Sequence, residues 1–447
     1  MTTGKEAKPD TVSGSSRRPQ TRPDGDVRCR WQWAEPSVWT RRMLTALENG
    51  VRAGRWHSLI DKLYNRDTLR AAFKRVAANA GAPGVDHVTI EAFARRLDEN
   101  LEHLHRRLKE GTYRPQAIRR VYIPKPGRRQ KRPLGIPTVR DRVVQTALKQ
   151  VLEPIFERDF AEQSYGFRPG RSCKDALGRV DALLKAGYSH IVDADLESYF
   201  DTIPHERLMD RIRSKVSDAR VVSLIALFLS QGVIEGLTVY TPEAGSPQGA
   251  VISPLLSNIY LDELDHLMAA HGLEMVRYAD DFVVMCRSNE AARGALDLVT
   301  NWVHGVGLKL HPDKSGIVTH KAGFDFLGYH FQGGRRWPRK KSLQAVKARI
   351  RAQTKRTSGH SLDRIIAEVN KVLRGWYAYY KHSHPRTFRI IDGWVRMRLR
   401  SILRRRSGRT GPGRGFDHQR WPNAYFASCG LFSLRTAYEL DRQSSLR

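Results

Sequence analysis

Two adjacent aspartates between two apolar runs restrict the fold of this chain more tightly than any other feature. Met275 and Val276 precede Tyr278-Ala-Asp-Asp281, and Phe282, Val283, Val284 and Met285 follow it. Apolar strand-like residues on both sides of a short acidic turn predict a hairpin whose arms run through a core. Carboxylates held at such a turn without partners are costly to bury. A solvated turn avoids that cost, and so does a divalent cation; hard oxygen donors of this kind suit Mg²⁺.

A second acidic run favours the cation. His190-Ile-Val-Asp-Ala-Asp-Leu196 has strand patterning, and Glu197-Ser-Tyr-Phe-Asp201 follows it. Asp193 and Asp195 alternate with Val192, Ala194 and Leu196, so the two acids share one face. A carboxylate from this strand beside Asp280 and Asp281 would complete a two-metal site. Such a site activates a 3′-hydroxyl and stabilises in-line displacement of pyrophosphate.

The charge points to the partner. Lys and Arg number 77 against 46 Asp and Glu, a net +31 among 447 residues. A charge of that size repels itself in a compact state and calls for a polyanion, with nucleic acid first among candidates. The four cysteines, Cys29, Cys173, Cys286 and Cys429, form no CxxC pair, which excludes a zinc ribbon and a disulfide scaffold. No apolar run is long enough to span a bilayer and no signal-peptide core opens the chain, so a cytoplasmic protein with no membrane partner is expected.

The length suits two or three cores. Residues 1–35 read as a mobile basic tail, with Trp31 and Trp33 near its end as candidates to dock on the body. Helical spacing follows through Met43, Leu44, Leu47 and Val51, then Leu59, Ile60 and Leu63. One helix is expected through Phe93, Leu97, Leu101, Leu104 and Leu108, stopping at Gly111. Val121–Ile123 and Leu134–Pro137 predict a hairpin with cations at its tip, and a helix is expected over Asp141–Phe156. His190–His330 alternates short β-rich runs with helices. Beyond Gly333 the chain becomes basic and helical: residues 335–356 hold ten Lys or Arg and no acid, and residues 395–416 hold eight Arg and no acid. Trp376, Tyr377, Tyr379 and Tyr380 interleave with this bundle, and most are expected to pack it.

Taken in order, the chain resembles the reverse transcriptases of group II introns. The matching segments are Asn79–Asp86, Gly111–Pro115, Ile123–Pro126, Arg132–Thr138, Ser164-Tyr-Gly-Phe-Arg-Pro169 and Asp195–His205. Ser246-Pro-Gln-Gly-Ala-Val-Ile-Ser-Pro254, Tyr278–Asp281, Leu308–Lys314, Phe326-Leu-Gly-Tyr329 and Trp421–Ala427 continue the series. The resemblance implies an α+β right-hand polymerase followed by an α-helical thumb and maturase domain. Fingers would span 36–188, a ferredoxin-like palm 189–330, the thumb and maturase helices 331–420, and a C-terminal segment 421–447. It implies two Mg²⁺ ions, deoxynucleoside triphosphates, an RNA template with a DNA primer, intron RNA and a DNA target. The chain stops about two dozen residues after Trp421-Pro-Asn423, so it is similar to compact members without the His-Asn-His nuclease.

The resemblance also assigns roles. Asp195, Asp280 and Asp281 would be the catalytic metal ligands, with the carbonyl of Leu196 as a further ligand and Asp193 as a supporting acid. Lys125 and Arg132 on the basic hairpin would meet the triphosphate, and Lys131 competes with Lys125 for that role. Phe200 would crowd a 2′-hydroxyl or else serve as core, Gln248 would lie near the nucleotide, and Lys314 would protonate pyrophosphate or be a surface lysine. Arg335, Arg336, Lys340, Lys341, Arg404, Arg405 and Arg406 would grip RNA phosphates. Two other readings are a non-catalytic splicing cofactor, which would be free to lose the acids, and a defence-associated reverse transcriptase. A viral RNA-dependent RNA polymerase fits less well, because Phe200 would obstruct ribonucleotides.

Overall fold

The computed structural model describes residues 29–51, 54–124, 131–236, 238–411 and 415–444. Most of the expected basic tail lies outside these residues, as do the hairpin tip and Lys125. Trp31, near the end of that segment, docks on the body: it is 2% exposed and its indole nitrogen donates to Glu48 at 2.5 Å. Val38 and Trp39 follow it into the core, which ties residues 31–39 to the folded body.

The N-terminal half is mainly helical. Helix Arg66–Ala78 buries Leu69, Ala72, Phe73 and Val76 along one stripe and starts on Asn65, whose side chain accepts from Asp67 N at 2.8 Å. The helix expected through Phe93–Leu108 is instead two, Ile90–Arg95 and Leu97–Glu110. They break at Arg96, whose φ of −124° and ψ of 42° are not helical. Phe93, Leu101, Leu104 and Leu108 are still buried and Leu97 packs partly buried against the same core, so the periodicity survives the kink. Helix Val139–Glu157 is enclosed on nearly every side, with Pro154 in its last turn.

Among the described residues eleven strands form three sheets. They are β1 Ile118–Pro124, β2 Lys131–Ile136, β3 His190–Asp195, β4 Val233–Glu235, β5 Thr238–Tyr240 and β6 Glu274–Tyr278, then β7 Asp281–Cys286, β8 Gly316–Thr319, β9 Phe324–Phe326, β10 Tyr329–Gln332 and β11 Arg335–Pro338. The hairpin β1–β2 joins β4 and β5 in the order β2-β1-β4-β5. The central sheet runs β6-β7-β3-β8 with every neighbouring pair antiparallel. Helices Ser253–Ala270 and Asn289–Gly305 bury apolar residues in the same core as Val192, Ala194, Phe282 and Val284 of this sheet. That core also holds Trp31, Leu69 and Val144, so the N-terminal helices and the central sheet share one interior. The other side of the sheet, through Ile191, Val276, Val283 and Met285, packs with Val180 and Leu183 of helix Cys173–Lys185 and with Phe324, Phe326, Tyr329 and Phe331 of the sheet β11-β10-β9.

A separate helical core begins after β11. Helices Lys340–Gln353, Leu362–Tyr380 and Arg386–Arg406 contribute Val346, Ile350, Ile366, Val369, Leu373, Val395 and Leu399, each nearly inaccessible. Burying side chains of this size contributes about 1.5–3 kcal/mol apiece before the entropy of ordering is charged against it. Phe426 and Leu434 belong to this core, so it extends past residue 420. Tyr377 is buried and Trp376 stacks on Tyr380 at 4.8 Å, so these aromatics pack the bundle.

Asp392 fastens the last helix, Leu434–Ser444, to the bundle. Its carboxylate accepts from Leu434 N at 3.0 Å, Arg435 N at 3.1 Å and the Ser433 hydroxyl at 2.9 Å. Asp392→Ala removes that cap and should destabilise the last helix by about 1–2 kcal/mol. Limited proteolysis should then release the segment after Cys429 well before the rest of the chain is cut; digestion like that of the parent protein would mean that apolar packing alone holds the helix.

Candidate active site

Strand register brings the acids together. Asp195 is the direct partner of Asp281 across β3 and β7, and Asp193 sits two residues back on the same face, opposite Val283. Tyr278 pairs with Asp281, leaving Ala279 and Asp280 as the turn. Ala279 has φ +61°, a left-handed conformation that costs a residue with a Cβ about 1–2 kcal/mol. Segment Leu308–Ser315 runs alongside: His311 N donates to Asp195 O at 2.8 Å, and Asp195 N donates to the Ser315 hydroxyl at 3.2 Å. Leu196 is buried and bridges to Leu310.

Crowding marks the electrostatics of these groups. Burial pushes the Asp281 carboxyl up to about 7, reinforced by the fields of Asp193, Asp280 and Asp195. Burial, with Asp195 and Asp325 beside it, pushes Asp193 up to about 6 against the opposing pull of Arg339. Asp280 is raised by burial and by Asp195, while its own backbone hydrogen bond, Arg132 and Arg277 pull it down. Lys314 forms an ion pair with the Asp195 carboxylate. Among the described residues no group of three or more His, Cys, Asp or Glu side chains is drawn together tightly enough to hold a metal ready-made. The donor chemistry nevertheless fits a hard divalent cation: carboxylate oxygens only, partly buried, with mutual repulsion that such an ion would relieve.

The remaining residues singled out from the sequence divide by place. Arg132 is exposed on β2 opposite Ile123, and its field reaches Asp280. Phe200 is partly buried against the main core, with its ring edge-on to Tyr199 at 5.4 Å. Gln248 is partly exposed; its carbonyl accepts from Gly135 N at 2.6 Å, which ties the Ser246–Gly249 loop to the hairpin. Gly249, at φ +106°, has no room for a Cβ, which would stand 2.5 Å from Gly135 O, so the close approach there is to the hairpin. Lys125 lies outside the described residues.

The basic residues of the helical unit are unequal. Arg335, Lys340, Lys341, Arg405 and Arg406 are exposed. Arg336 is engaged by Asp181 at 2.7 Å and lies over the Tyr329 ring. Arg404 pairs with the buried Asp417 at 2.6 Å and donates to Thr410 O at 2.7 Å, while Arg406 donates to His360 O.

Sequence reasoning missed the support beneath the turn. Arg277 is fully buried and donates to Asp265, Asn258 and the Ala279 carbonyl. Asn258 in turn donates to Gly166 O at 2.9 Å, and a Cβ on Gly166 would stand 2.3 Å from Ala279 N. A usable signal was present: an arginine inside the apolar run Met275–Met285 must have a buried acid as partner.

The raised carboxyls make the metal-free fold pH-dependent. Their folded pKa values, about 7 and about 6, exceed those of a free aspartate, so protonation favours the folded state. That contribution is complete below about pH 4 and is lost as pH rises through about 6 to 7. The thermal midpoint of metal-free protein should therefore fall between about pH 5 and about pH 8, and millimolar Mg²⁺ should raise it more at the upper pH. Asp281→Asn should flatten the profile; an equally steep profile in that variant would place the titration elsewhere.

Comparison with known proteins agrees with this geometry. Residues 123–331 match the family model for reverse transcriptase (RNA-dependent DNA polymerase), and residues 343–421 match the group II intron maturase-specific domain. The chain is 36% identical over 295 residues to Protein YkfC of Escherichia coli (strain K12), covering 56% of this chain and 76% of that protein. It is 38% identical over 216 residues to the group II intron-encoded protein LtrA of Lactococcus lactis subsp. cremoris, covering 46% of this chain but 35% of LtrA. Among solved structures, a partial Cas6-RT-Cas1–Cas2 complex matches at 23% identity and a TM-score of 0.37, over 57% of this chain and 44% of that one. The carboxylates lie inside the first matched region and the basic helices inside the second: the chain belongs to the group II intron reverse transcriptases, RNA-directed DNA polymerases that carry a maturase domain.

Proposed function

We propose that this protein copies RNA into DNA at Asp195, Asp280 and Asp281 and separately grips intron RNA through the exposed cations of its helical unit. The observation that carries the reading is the direct pairing of Asp195 with Asp281 beside the Asp280 turn, in a fold whose excess charge is positive. In this reading the N-terminal helices and the β1–β2 hairpin are the fingers, the central sheet is the palm, and the helices after β11 are the thumb and maturase unit.

Asp195, Asp280, Asp281 and the Leu196 carbonyl would hold two Mg²⁺ ions, which supply Lewis acidity to an attacking 3′-hydroxyl and a leaving pyrophosphate. The chain's own residues do the rest. Arg132, whose field already reaches Asp280, meets the triphosphate of an incoming deoxynucleotide, and Lys125 or Lys131 adds charge on the same hairpin. The Ser246–Gly249 loop, braced on Gly135, places Gln248 near the nucleotide. Phe200 is partly buried against the core, a position that would serve both packing and exclusion of a 2′-hydroxyl. Lys314, paired with Asp195, would pass a proton to pyrophosphate. No helix among the described residues is long and apolar enough to cross a membrane, and we assign the protein to the cytoplasm, with a DNA target for intron insertion as a further partner.

Asp280→Ala or Asp281→Ala should lower primer extension on RNA by about 10³-fold or more while leaving RNA affinity within about twofold, because the loss falls on the transition state and not on phosphate contacts. Full extension by either variant would remove the assignment. Phe200→Ala should raise the ratio of kcat/KM for ribonucleotide over deoxynucleotide by about tenfold; an unchanged ratio would make Phe200 a core residue alone.

The RNA grip calls for a choice of residues that the ion pairs make possible. Since Arg404 and Arg336 are engaged internally, the informative variant neutralises Lys340, Lys341 and Arg405 to Gln. Filter binding of intron RNA across a salt series should show a slope flattened by about 0.7–0.9 per lost phosphate contact, with extension of a saturating primer–template little changed. An unaltered slope would show these cations to be merely solvated.

A further inference from the structure

The Arg277 guanidinium lies wholly buried directly behind the Tyr278–Asp281 turn. Its Nε donates to Asp265 Oδ1 at 2.7 Å, and a second nitrogen donates to Asp265 Oδ2. The third nitrogen divides its protons between Asn258 Oδ1 at 3.1 Å and Ala279 O at 2.9 Å. Asn258 and Asp265 are seven residues apart on helix Ser253–Ala270, hence on one face, and they hold the guanidinium from the same side. The Asn258 amide then donates to Gly166 O, and the Gly166 backbone presses on Ala279 N too closely to admit a Cβ. Main-chain bonds close the frame: Tyr165 N donates to Arg277 O at 2.8 Å, and Arg277 N donates to Gln163 O at 2.9 Å.

Stability alone does not account for this arrangement. A buried ion pair contributes little net stability compared with apolar side chains of the same shape. What apolar side chains could not do is donate to the carbonyl of Ala279, the left-handed residue immediately before Asp280. Left-handed backbone at a residue with a Cβ persists where its surroundings over-determine it, and here Arg277 holds Ala279 at its carbonyl while Gly166 packs against its amide nitrogen.

We propose that Arg277, fixed by Asp265 and Asn258, is a positioning residue for polymerisation: it clamps the Ala279 carbonyl and so sets the aim of Asp280 and Asp281, and with it the divalent-ion requirement for binding the incoming deoxynucleotide. The proposal rests on the reading of Asp280 and Asp281 as the metal-binding acids. Arg277 itself touches neither substrate nor ion; it acts through the turn.

The test uses the full chain and three variants. Asn258→Ala removes the link to Gly166 and one acceptor of the guanidinium. Arg277→Lys keeps the charge opposite Asp265 but cannot serve Asp265, Asn258 and Ala279 at once. The double variant Arg277→Met with Asp265→Leu fills the same space without charge and guards against a simple folding failure. Thermal melts establish that each is folded at the assay temperature. Two quantities are then read: the Mg²⁺ concentration for half-maximal binding of the correct deoxynucleotide on a dideoxy-terminated primer annealed to RNA, and kcat for extension of a normal primer. We expect the Mg²⁺ midpoint to rise by about fivefold or more and kcat to fall by about 10- to 100-fold, with primer–template affinity unchanged, since small misplacements of reacting groups carry penalties of that order. Excess Mg²⁺ should recover part of the lost nucleotide binding. A folded double variant with the parental Mg²⁺ midpoint and kcat would overturn the proposal, and so would activity lost only in proportion to the unfolded fraction. An Asp280→Ala control separates the two claims. If that control remains active, the reading of the carboxylates fails; if it is inactive while the Arg277 and Asn258 variants behave as the parent, only the positioning role fails.

Discussion

Carboxylates crowded onto neighbouring strands repel one another, and much of the surrounding structure serves to hold them together. Register places Asp195 opposite Asp281, with Asp193 on the same face and Asp280 at the adjoining turn. Val192, Ala194, Phe282 and Val284 fix the strands from behind, so the acids cannot separate without opening the core. Cations offset the repulsion from several directions: Lys314 on Asp195, Arg132 and Arg277 toward Asp280, and Arg339 toward Asp193 and Asp281. A site that concentrates negative charge in this way is poised for divalent ions, and the positive remainder of the chain is what allows a polyanion to approach it.

The net charge of +31 therefore overstates what faces nucleic acid. Arg168 grips Glu157 and donates to the carbonyls of Ala161 and Ser164; Arg142 donates to Ala82 O; Arg400 reaches Trp421 O and Asn423. These arginines are buried, and Arg168 and Arg400 each donate to more than one group, fastening the segments they reach. Arg168 bears directly on the site, because the segment it secures contains Gly166, which braces Ala279. One short motif, Ser164–Pro169, thus supplies both the fastener and the close-packed glycine that the turn needs.

The sequence made some of this legible and hid the rest, for physical reasons. Period-2 alternation at Asp193 and Asp195 put both acids on one face, and the apolar flanks of Tyr278–Asp281 implied a hairpin; both are local signals and both match the sheet. The kink at Arg96 was invisible, because the apolar spacing continues across it and the break is a matter of backbone dihedrals. The role of Arg277 was hidden because its partners lie on a helix twelve and nineteen residues earlier, and residue spacing does not encode which helix covers a strand. The clusters of like charge predicted a basic exterior correctly in bulk, but the sequence alone could not separate Arg404, engaged by Asp417, from Arg405, exposed beside it.

The helical unit is coupled to the central sheet by more than a linker. Tyr329 of β10 donates to Tyr379 O at 2.6 Å, and Tyr379 donates back to Leu327 O at 2.7 Å, so helix Leu362–Tyr380 and the β9–β10 turn exchange hydrogen bonds. Gly328, at φ +82° in that turn, would place a Cβ 3.0 Å from the Tyr380 hydroxyl. Arg336 of β11 pairs with Asp181 on helix Cys173–Lys185, which packs beneath the central sheet. Burial raises the hydroxyls of Tyr278, at the Tyr278–Asp281 turn, and Tyr379, of the helical unit, and Cys173, the first residue of that helix, adds to the rise at both. Polar ties of this kind are directional, and together they constrain angle as well as distance. The surface that would grip intron RNA and the carboxylates that would copy RNA are therefore parts of one frame.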